Sequence, residues 1–162
     1  VQTCALPIST VIDLVKTKRK IFSVGRLDRN TTGALILTND GALANRLMHP
    51  SYKVERTYLV KLDRALEFDD AQKIADGIEL EDGKTSPCNV IINPEDRTKA
   101  SVTLFEGRNK EIHRLFTALG YTVKQLDRKF YAGLSVSGLQ HGEYRYLKNR
   151  EINKIRKIVG LN

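Results

Sequence analysis

The chain has 162 residues, of which 41% are hydrophobic and 28% are charged, and its 27 Lys and Arg against 19 Asp and Glu give a formal net charge of +8. This is the composition of a globular domain with a core of its own, and it excludes wholesale disorder. The excess of positive charge indicates a polyanionic partner, either a nucleic acid or an anionic membrane surface.

Several classes of segment and site are excluded by residue type and spacing. No window approaches the roughly 18 apolar residues that a membrane-spanning helix needs. Cys4 and Cys88 cannot form a disulfide framework, and the three histidines lack the spacing of metal ligands. We therefore expect no structural zinc site and no other bound metal.

The first nine residues, VQTCALPIS, lack the basic region and the long apolar region of a signal peptide. The reducing cytoplasm is therefore the expected compartment. Because the chain does not begin with methionine, we expect residues 1–9 to be non-native-like or disordered and an N-terminal domain to be missing. Residues 10–162 are expected to form one domain.

The elements predicted in the first third are a helix over 10–17, a strand over 22–25, a polar turn over 26–33, a strand over 34–38 and a helix over about 40–48. Asn39 or Asp40 caps this last helix, and Pro50 ends it. A basic run follows the first helix, at residues 16–20.

Further strands are predicted where β-branched and apolar residues alternate, at 54–62, 88–92, 99–107, near 122–134 and at 143–147. Helices are predicted from helical spacing of apolar residues at 67–77, 110–120 and about 149–158. Strands and helices mix without strict alternation. The order therefore predicts an α+β fold, with a mainly antiparallel mixed sheet and flanking helices.

The densest group of polar residues is GRLDRNTTG, residues 25–33, in which Asp28 lies between Arg26 and Arg29. A surface turn with local ion pairs is the simpler interpretation. The functional interpretation is that flanking guanidinium groups keep the carboxylate ionised and bind phosphates, which brings the carboxylate to a nucleotide.

Two further features have a functional and a purely structural interpretation. Basic residues follow a glycine at the start of a helix in EGRNKEIHR, residues 106–114, where the helix N-terminus can hold anions. The alternative is the solvated face of an amphipathic helix. Tyr58, in the strand ERTYLVKL, is either half-buried packing or an aromatic surface on which a base stacks.

The bacterial ribosomal RNA pseudouridine synthases that modify uridines of the small and large subunit RNAs resemble this chain in three ordered segments. The segments are GRLDRNTTGALILTNDGALANRLMHP, KVERTYLVKL and EGRNKEIHRLFTALGYTVKQLDRKFYAGL. The resemblance covers roughly residues 10 to 150. It implies that residues 10–162 form a pseudouridine synthase catalytic domain, an isomerase that converts a specific uridine of ribosomal RNA to pseudouridine by base flipping, with 23S RNA favoured over 16S RNA.

The resemblance also implies a role for each site residue. Asp28 matches the catalytic aspartate, Tyr58 the tyrosine that stacks on the target base, and Leu126 an apolar residue of the base pocket. His113 falls where the family has an Arg or Lys that pairs with the aspartate. This is a departure, because a histidine is charged only when protonated. Arg114 is an alternative, but it faces about 100° away on a helix.

Phosphate contacts are expected from the polar side chains around these motifs: Arg26, Arg29, Arg108, Asn109, Lys110 and Arg114. The family's reaction retains both base and sugar, which implies that no cofactor is needed. Attack at the ribose C1′, addition at the uracil C6 and abstraction of a ribose proton all remain open. We expect a monomer that binds ribosomal RNA and no membrane, and the family's small N-terminal RNA-binding domain as the missing part.

Three other functions are compatible with a basic protein of this size. The first is a catalytically inactive RNA-binding or ribosome-assembly module of the same fold, which would have no need of Asp28. A DNA-binding protein would show helix-turn-helix spacing or zinc ligands, and neither is present in the sequence. A role at a membrane surface would depend on the terminal segment NREINKIRKIVGLN, which a docked C-terminal helix explains better.

Overall fold

The computed structural model describes residues 10–162, and the expectation for residues 1–9 lies outside these described residues. The strands are β1 (Phe22–Ser23), β2 (Thr31–Gly33), β3 (Leu37–Thr38), β4 (Arg56–Leu62), β5 (Glu79–Leu80), β6 (Gly83–Lys84), β7 (Asn89–Ile92), β8 (Lys99–Leu104), β9 (Val123–Tyr131) and β10 (Leu134–Ser135). The α-helices are α1 (Gly41–Met48), α2 (Phe68–Asp76), α3 (Glu111–Ala118) and α4 (Asn149–Ile158). Short 3₁₀ turns occupy Val11–Leu14 and Pro50–Tyr52.

One six-stranded sheet organises these elements. Its strand order is β10–β9–β4–β8–β7, with β2 added alongside β9. The β2–β9 pair is parallel, whereas the other neighbours in this sheet are antiparallel. The predicted α+β class, with a mainly antiparallel mixed sheet and flanking helices, is confirmed. Among residues 10–162, no helix has the length and apolar character needed to cross a membrane.

Two apolar clusters form the core, and they lie at different parts of the sheet. The first packs α2 and α3 against the sheet through residues such as Ile74, Phe116 and Val102, all of which are fully buried. The second joins α1 and α4 to β9, with Leu47, Ile155 and Tyr131 among its buried members. Since α4 contributes to this second cluster, the C-terminal helix belongs to the same domain.

Gly33 allows the parallel pairing of β2 with β9. It lies opposite Arg128 and has a φ of +115°, which L side chains rarely adopt. A Cβ atom at this position would lie 2.2 Å from the carbonyl oxygen of Arg128. The backbones therefore approach so closely that only glycine fits, and the segment that begins at Gly25 is fixed to the central part of the sheet.

The helices predicted at 40–48, 67–77, 110–120 and 149–158 are confirmed, but four expectations for other segments are wrong. Residues 31–33 form β2 rather than part of a polar turn, and only Leu37–Thr38 of the predicted strand 34–38 is a strand. The predicted helix 10–17 is a 3₁₀ turn without buried residues, so it has no packing that could extend it. Residues 143–147 form no strand, because Arg145 binds Glu151 with Nη···Oε distances of 2.8 and 2.7 Å and holds this segment at the start of α4.

Candidate active site

A cavity of about 320 Å³ lies where the two apolar clusters meet. Val24 and Tyr131 of the second cluster and Leu104, Ile112 and Leu126 of the first all contribute to its wall. Its volume is in the range that binds one small molecule or one nucleotide base with its sugar. The polar side chains on this wall therefore determine what the cavity can do.

Asp28 is half-buried on the cavity wall, in the irregular segment between β1 and β2. Gly25, with a φ of +74°, begins this segment, and the N–H of Thr31 donates to the carbonyl oxygen of Asp28 at 2.9 Å. Thr31 is also the first residue of β2, so the turn that carries Asp28 ends directly on the sheet. Such a segment presents a carboxylate to a cavity from a fixed backbone.

The flanking arginines do not form the ion pairs that the sequence suggested. No ion pair among residues 10–162 includes the Asp28 carboxylate. Arg26 and Arg29 are both exposed, and only Arg26 lies on the cavity wall. Their side chains project into solvent, where they are accessible to an anionic ligand.

Tyr58 and Leu126 come to the cavity from neighbouring strands. Tyr58 lies on β4 opposite Arg128, and Leu126 lies on β9 opposite Val60. Tyr58 is half-buried and Leu126 is buried, and both line the cavity. The sheet thus places an aromatic ring and an apolar side chain on the wall of the same cavity as the Asp28 carboxylate.

The start of α3 supplies a further part of the wall. Asn109, Lys110 and His113 line the cavity, and the Nδ1 atom of His113 is buried without a hydrogen-bond partner among the described residues. Lys110 has a φ of 49°, a left-handed conformation that is uncommon for residues other than glycine and that often occurs at functional sites.

The guanidinium groups of Arg108 and Arg114 are occupied by contacts within the protein. Arg108 donates to the carbonyl oxygens of Gly83 at 3.0 Å and Lys84 at 2.7 Å. Arg114 makes a bidentate contact with Asp82, with Nη···Oδ distances of 2.9 and 3.2 Å. Arg114, the alternative to His113, does not line the cavity.

Two carboxylates at the back of the cavity, Glu106 and Glu111, were not predicted as site residues. Glu111 is 3% exposed, and its Oε2 atom accepts from the N–H of Arg108 at 3.0 Å. Burial, together with a hydrogen bond to Glu106, raises the pKa of Glu111 to about 7. Burial alone would also raise the pKa of Glu106, but hydrogen bonds from Ser86, Glu111 and Arg108 lower it.

Two arginines on the wall were also missed, and both lie close to the ring of Tyr131. The guanidinium carbons of Arg56 and Arg128 are 5.0 and 4.8 Å from the centroid of Tyr131. Arg128 could have been found from the sequence, because side chains two positions apart on a strand face the same side of the sheet. Arg128 follows the predicted pocket residue Leu126 by two positions.

The donor set of the cavity does not resemble a metal site. Residues 10–162 contain no group of three or more His, Cys, Asp and Glu side chains placed to hold a metal ion. Within residues 10–162, the acidic and basic side chains that line the cavity are three carboxylic acids, four arginines and one lysine.

Comparison with known proteins finds a family model and individual relatives that match most of this chain. A model of the RNA pseudouridylate synthase family matches residues 9–118. The ribosomal large subunit pseudouridine synthase B of Bacillus subtilis is 39% identical over 145 residues, which cover 87% of this chain and 59% of that protein. The ribosomal small subunit pseudouridine synthase A of Vibrio vulnificus is 36% identical over 150 residues, or 91% of this chain and 64% of that protein.

The fold is also similar to a solved structure. A crystal structure of a pseudouridylate synthase superimposes with a TM-score of 0.85 and 35% sequence identity, and it covers 90% of this chain and 65% of that one. The chain therefore spans about three fifths of the length of the proteins that it resembles.

Proposed function

Because the chain belongs to the RNA pseudouridylate synthase family, we propose that it isomerises a uridine of ribosomal RNA to pseudouridine, with Asp28 as the catalytic carboxylate. One observation carries this proposal. Asp28, Tyr58 and His113 lie far apart in the sequence, on a loop, a strand and a helix, and all three line one cavity together with Leu126. A basic surface without a catalytic function would have no reason to bring these particular residues to one cavity.

The cavity wall suggests how the reaction proceeds. The target uridine leaves its stack and enters the cavity, where the ring of Tyr58 forms one face and Leu126 packs against the base. Asp28 acts in its ionised form, either as a nucleophile or as a base. The glycosidic bond from N1 breaks, the base turns, and a bond from C5 to the ribose C1′ forms. C5 then loses its proton and N1 gains one, so that the product is an isomer of the substrate. Base and sugar both stay bound, so the reaction needs no cofactor.

The RNA backbone is proposed to bind the exposed polar groups around the cavity. Arg26 and Arg29 border the Asp28 turn, and Asn109 and Lys110 stand at the start of α3, all with exposed side chains. Exposed guanidinium and ammonium groups contact phosphates and release counterions. Arg108 and Arg114 are weaker candidates, since each would have to give up contacts with protein oxygens to bind a phosphate.

The proposal also covers the extent of the catalytic domain, the RNA substrate, the oligomeric state and the cellular compartment. Residues 10–162 act as the catalytic domain, which is supported by the packing of α4 into the second core cluster. The identity of 39% to a large subunit synthase, against 36% to a small subunit synthase, favours 23S RNA as the substrate. The protein acts as a monomer in the cytoplasm, where ribosomal RNA is its partner.

A non-catalytic RNA-binding module is the second candidate function. The observation that favours it is His113, which occupies the place where the family has a permanent cation. Such a module would bind RNA through the same basic side chains, but it would leave every uridine unchanged.

A tritium-release assay distinguishes the two functions. Transcripts of 23S and 16S RNA are labelled at the uracil C5, whose hydrogen is lost when that carbon bonds to the ribose. We expect release from 23S RNA by the wild type, and none above background by Asp28→Asn, which keeps the size of the side chain and removes its charge. RNA binding by both proteins, with release by neither, would support the non-catalytic module. Release from 16S RNA alone would contradict the proposed substrate.

A further inference from the structure

Arg128 is a buried arginine on the cavity wall, and the proposed function leaves it without a role. It is 4% exposed, and its Nε atom donates to the carbonyl oxygen of Ala34 at 2.8 Å. Its Nη2 atom is buried and has no partner among residues 10–162. Buried charged groups are paired as a rule, because an unpaired one loses its hydration without compensation. A guanidinium of this kind therefore indicates a partner that approaches from the cavity.

Arg128 contacts Ala34, the residue that follows β2, and β2 begins where the turn that carries Asp28 ends. The backbone carbonyl of Arg128 accepts from the N–H of Ala34 at 2.8 Å, while its side chain donates to the carbonyl of the same residue. Gly33 lies opposite Arg128 in the parallel β2–β9 pair. Arg128 thus holds the residue after β2 through both its backbone and its side chain, and β2 is the strand on which the Asp28 turn ends. Two-sided attachment of this kind fixes the position of a turn more tightly than a strand pair alone.

Other cations near the cavity are less suited to this role. The guanidinium of Arg56 donates to the carbonyl of Val54 and faces the Tyr131 ring. The guanidinium of Arg108 is held by the carbonyls of Gly83 and Lys84 and by the carboxylate of Glu106. His113 comes from α3 and has no hydrogen bond to the Asp28 segment among the described residues. Arg128, by contrast, combines a permanent charge with a side-chain hydrogen bond to Ala34, directly after β2.

From these contacts we propose that Arg128 is the positioning residue for Asp28: it holds the Asp28 segment through Ala34, and its free Nη2 atom orients the carboxylate when a nucleotide fills the cavity. This inference rests on the proposed function of Asp28. It assigns to β9 a task that the resemblance assigns to position 113, and it explains how the site keeps a permanent cation although His113 has replaced the basic residue. A misplacement of about 1 Å in a reacting group can cost about a hundredfold in rate.

The test compares Arg128→Lys with Arg46→Lys. Both changes keep a positive charge. Arg46 serves as the control because, like Arg128, it donates to backbone carbonyls, those of Val159 at 2.9 Å and Gly160 at 3.1 Å, but it is half-buried and does not line the cavity. Single-turnover isomerisation, RNA affinity and the urea midpoint are measured for each protein, together with amide exchange at Ala34 and Thr31.

The expected result is a split between rate and affinity. Arg128→Lys lowers the single-turnover rate by about 10–100-fold, leaves the dissociation constant for RNA within about twofold, and speeds exchange at Ala34 by about tenfold or more. Arg46→Lys changes none of these three quantities, and the urea midpoint of each variant establishes that it is folded under the assay conditions. A fully active Arg128→Lys protein with normal exchange overturns the inference.

Two other outcomes are also decisive. Weaker RNA binding by Arg128→Lys at an unchanged rate would make Arg128 a substrate contact rather than a positioning residue, which overturns the inference. If the wild type isomerises no uridine, the proposed function fails. The amide exchange then still reports whether Arg128 fixes the Asp28 segment, so the two failures are distinguishable.

Discussion

Glu111 is expected to make the stability of this domain depend on pH, and the change Glu111→Gln removes that dependence. The glutamate is the first residue of α3, and it is 3% exposed. Its Oε2 atom accepts from the N–H of Arg108, and a glutamine oxygen can accept the same bond. The amide group can also donate to Glu106, which a carboxylate at position 111 does only while protonated.

The sign of the effect follows from the direction of the pKa shift. Burial, with the hydrogen bond to Glu106, raises the pKa of Glu111 from 4.5 to about 7 in the folded protein. Between these two values the folded state keeps a proton that the unfolded state has lost. The contribution of Glu111 to stability is therefore fully present below pH 4.5 and is lost as the pH rises to about 7.

The magnitude follows from about 1.4 kcal/mol for each unit of pKa shift. The whole shift would correspond to roughly 3 kcal/mol, but Glu106 shares the negative charge of the pair, so we expect about 1–3 kcal/mol. The free energy of unfolding of Glu111→Gln should exceed that of the wild type by this amount at pH 8, and the two proteins should be nearly equal at pH 4.5.

Urea unfolding followed by far-UV circular dichroism measures this difference, since the chain has no tryptophan to serve as a fluorescent probe. Glu81→Gln is the control, because Glu81 is exposed and takes part in no ion pair among residues 10–162. It should change stability equally at both pH values. The reasoning is refuted if Glu111→Gln also gives the same difference from the wild type at pH 4.5 and pH 8.

Four further predictions concern the fold and the site. Gly33→Ala should destabilise the domain by more than about 2 kcal/mol, because its Cβ would meet the backbone of Arg128, whereas Gly138→Ala, with nothing within 4 Å, should cost about 1 kcal/mol; equal urea midpoints would contradict this. Tyr58→Ala should lower kcat/KM by about 5–150-fold through lost stacking, and Tyr58→Phe should restore it in the same assay. His113→Arg should keep or raise the rate at pH 8, and a loss of more than about tenfold in a folded protein would show a different role for this position. RNA affinity should fall steeply between low and moderate salt, and a flat titration would argue against phosphate contacts.

The helices and the long strands were predictable because each of them buries one side. In α3, for example, Ile112, Leu115 and Phe116 recur at helical spacing, and all three are buried in the first cluster. In β4, Val60 and Leu62 alternate with exposed residues. Such patterns are local, so the sequence alone is sufficient to show them.

The β2–β9 pair was not predictable by the same means. β2 has only three residues, too few for a pattern, and its partner is about 95 positions away, as the Thr32–Asp127 hydrogen bond shows. The pairing depends on the fit of Gly33 against a distant backbone. The strand expected at 143–147 was wrong for a related reason, since the alternating tyrosines there remain exposed and a local ion pair determines the conformation.

The residues of the candidate site that lie in sequence motifs were predictable, whereas those that matter because they are buried were not. Asp28, Tyr58 and Leu126 were expected at one site from the resemblance, and the fold brings them to one cavity. Glu111 and Arg128 were missed, because a charged residue in an amphipathic pattern is usually exposed. Their importance comes from their burial at the cavity wall, which depends on the packing of α3 and β9 in three dimensions.

The most direct test of the account is a single-turnover reaction of 23S RNA fragments with excess protein, followed by digestion and chromatographic separation of the nucleosides. The wild type should convert one uridine to pseudouridine, while Asp28→Asn should bind the same fragment within a few-fold and form no pseudouridine. Pseudouridine formation by Asp28→Asn at the wild-type rate would contradict the central claim that the carboxylate at this cavity performs the isomerisation.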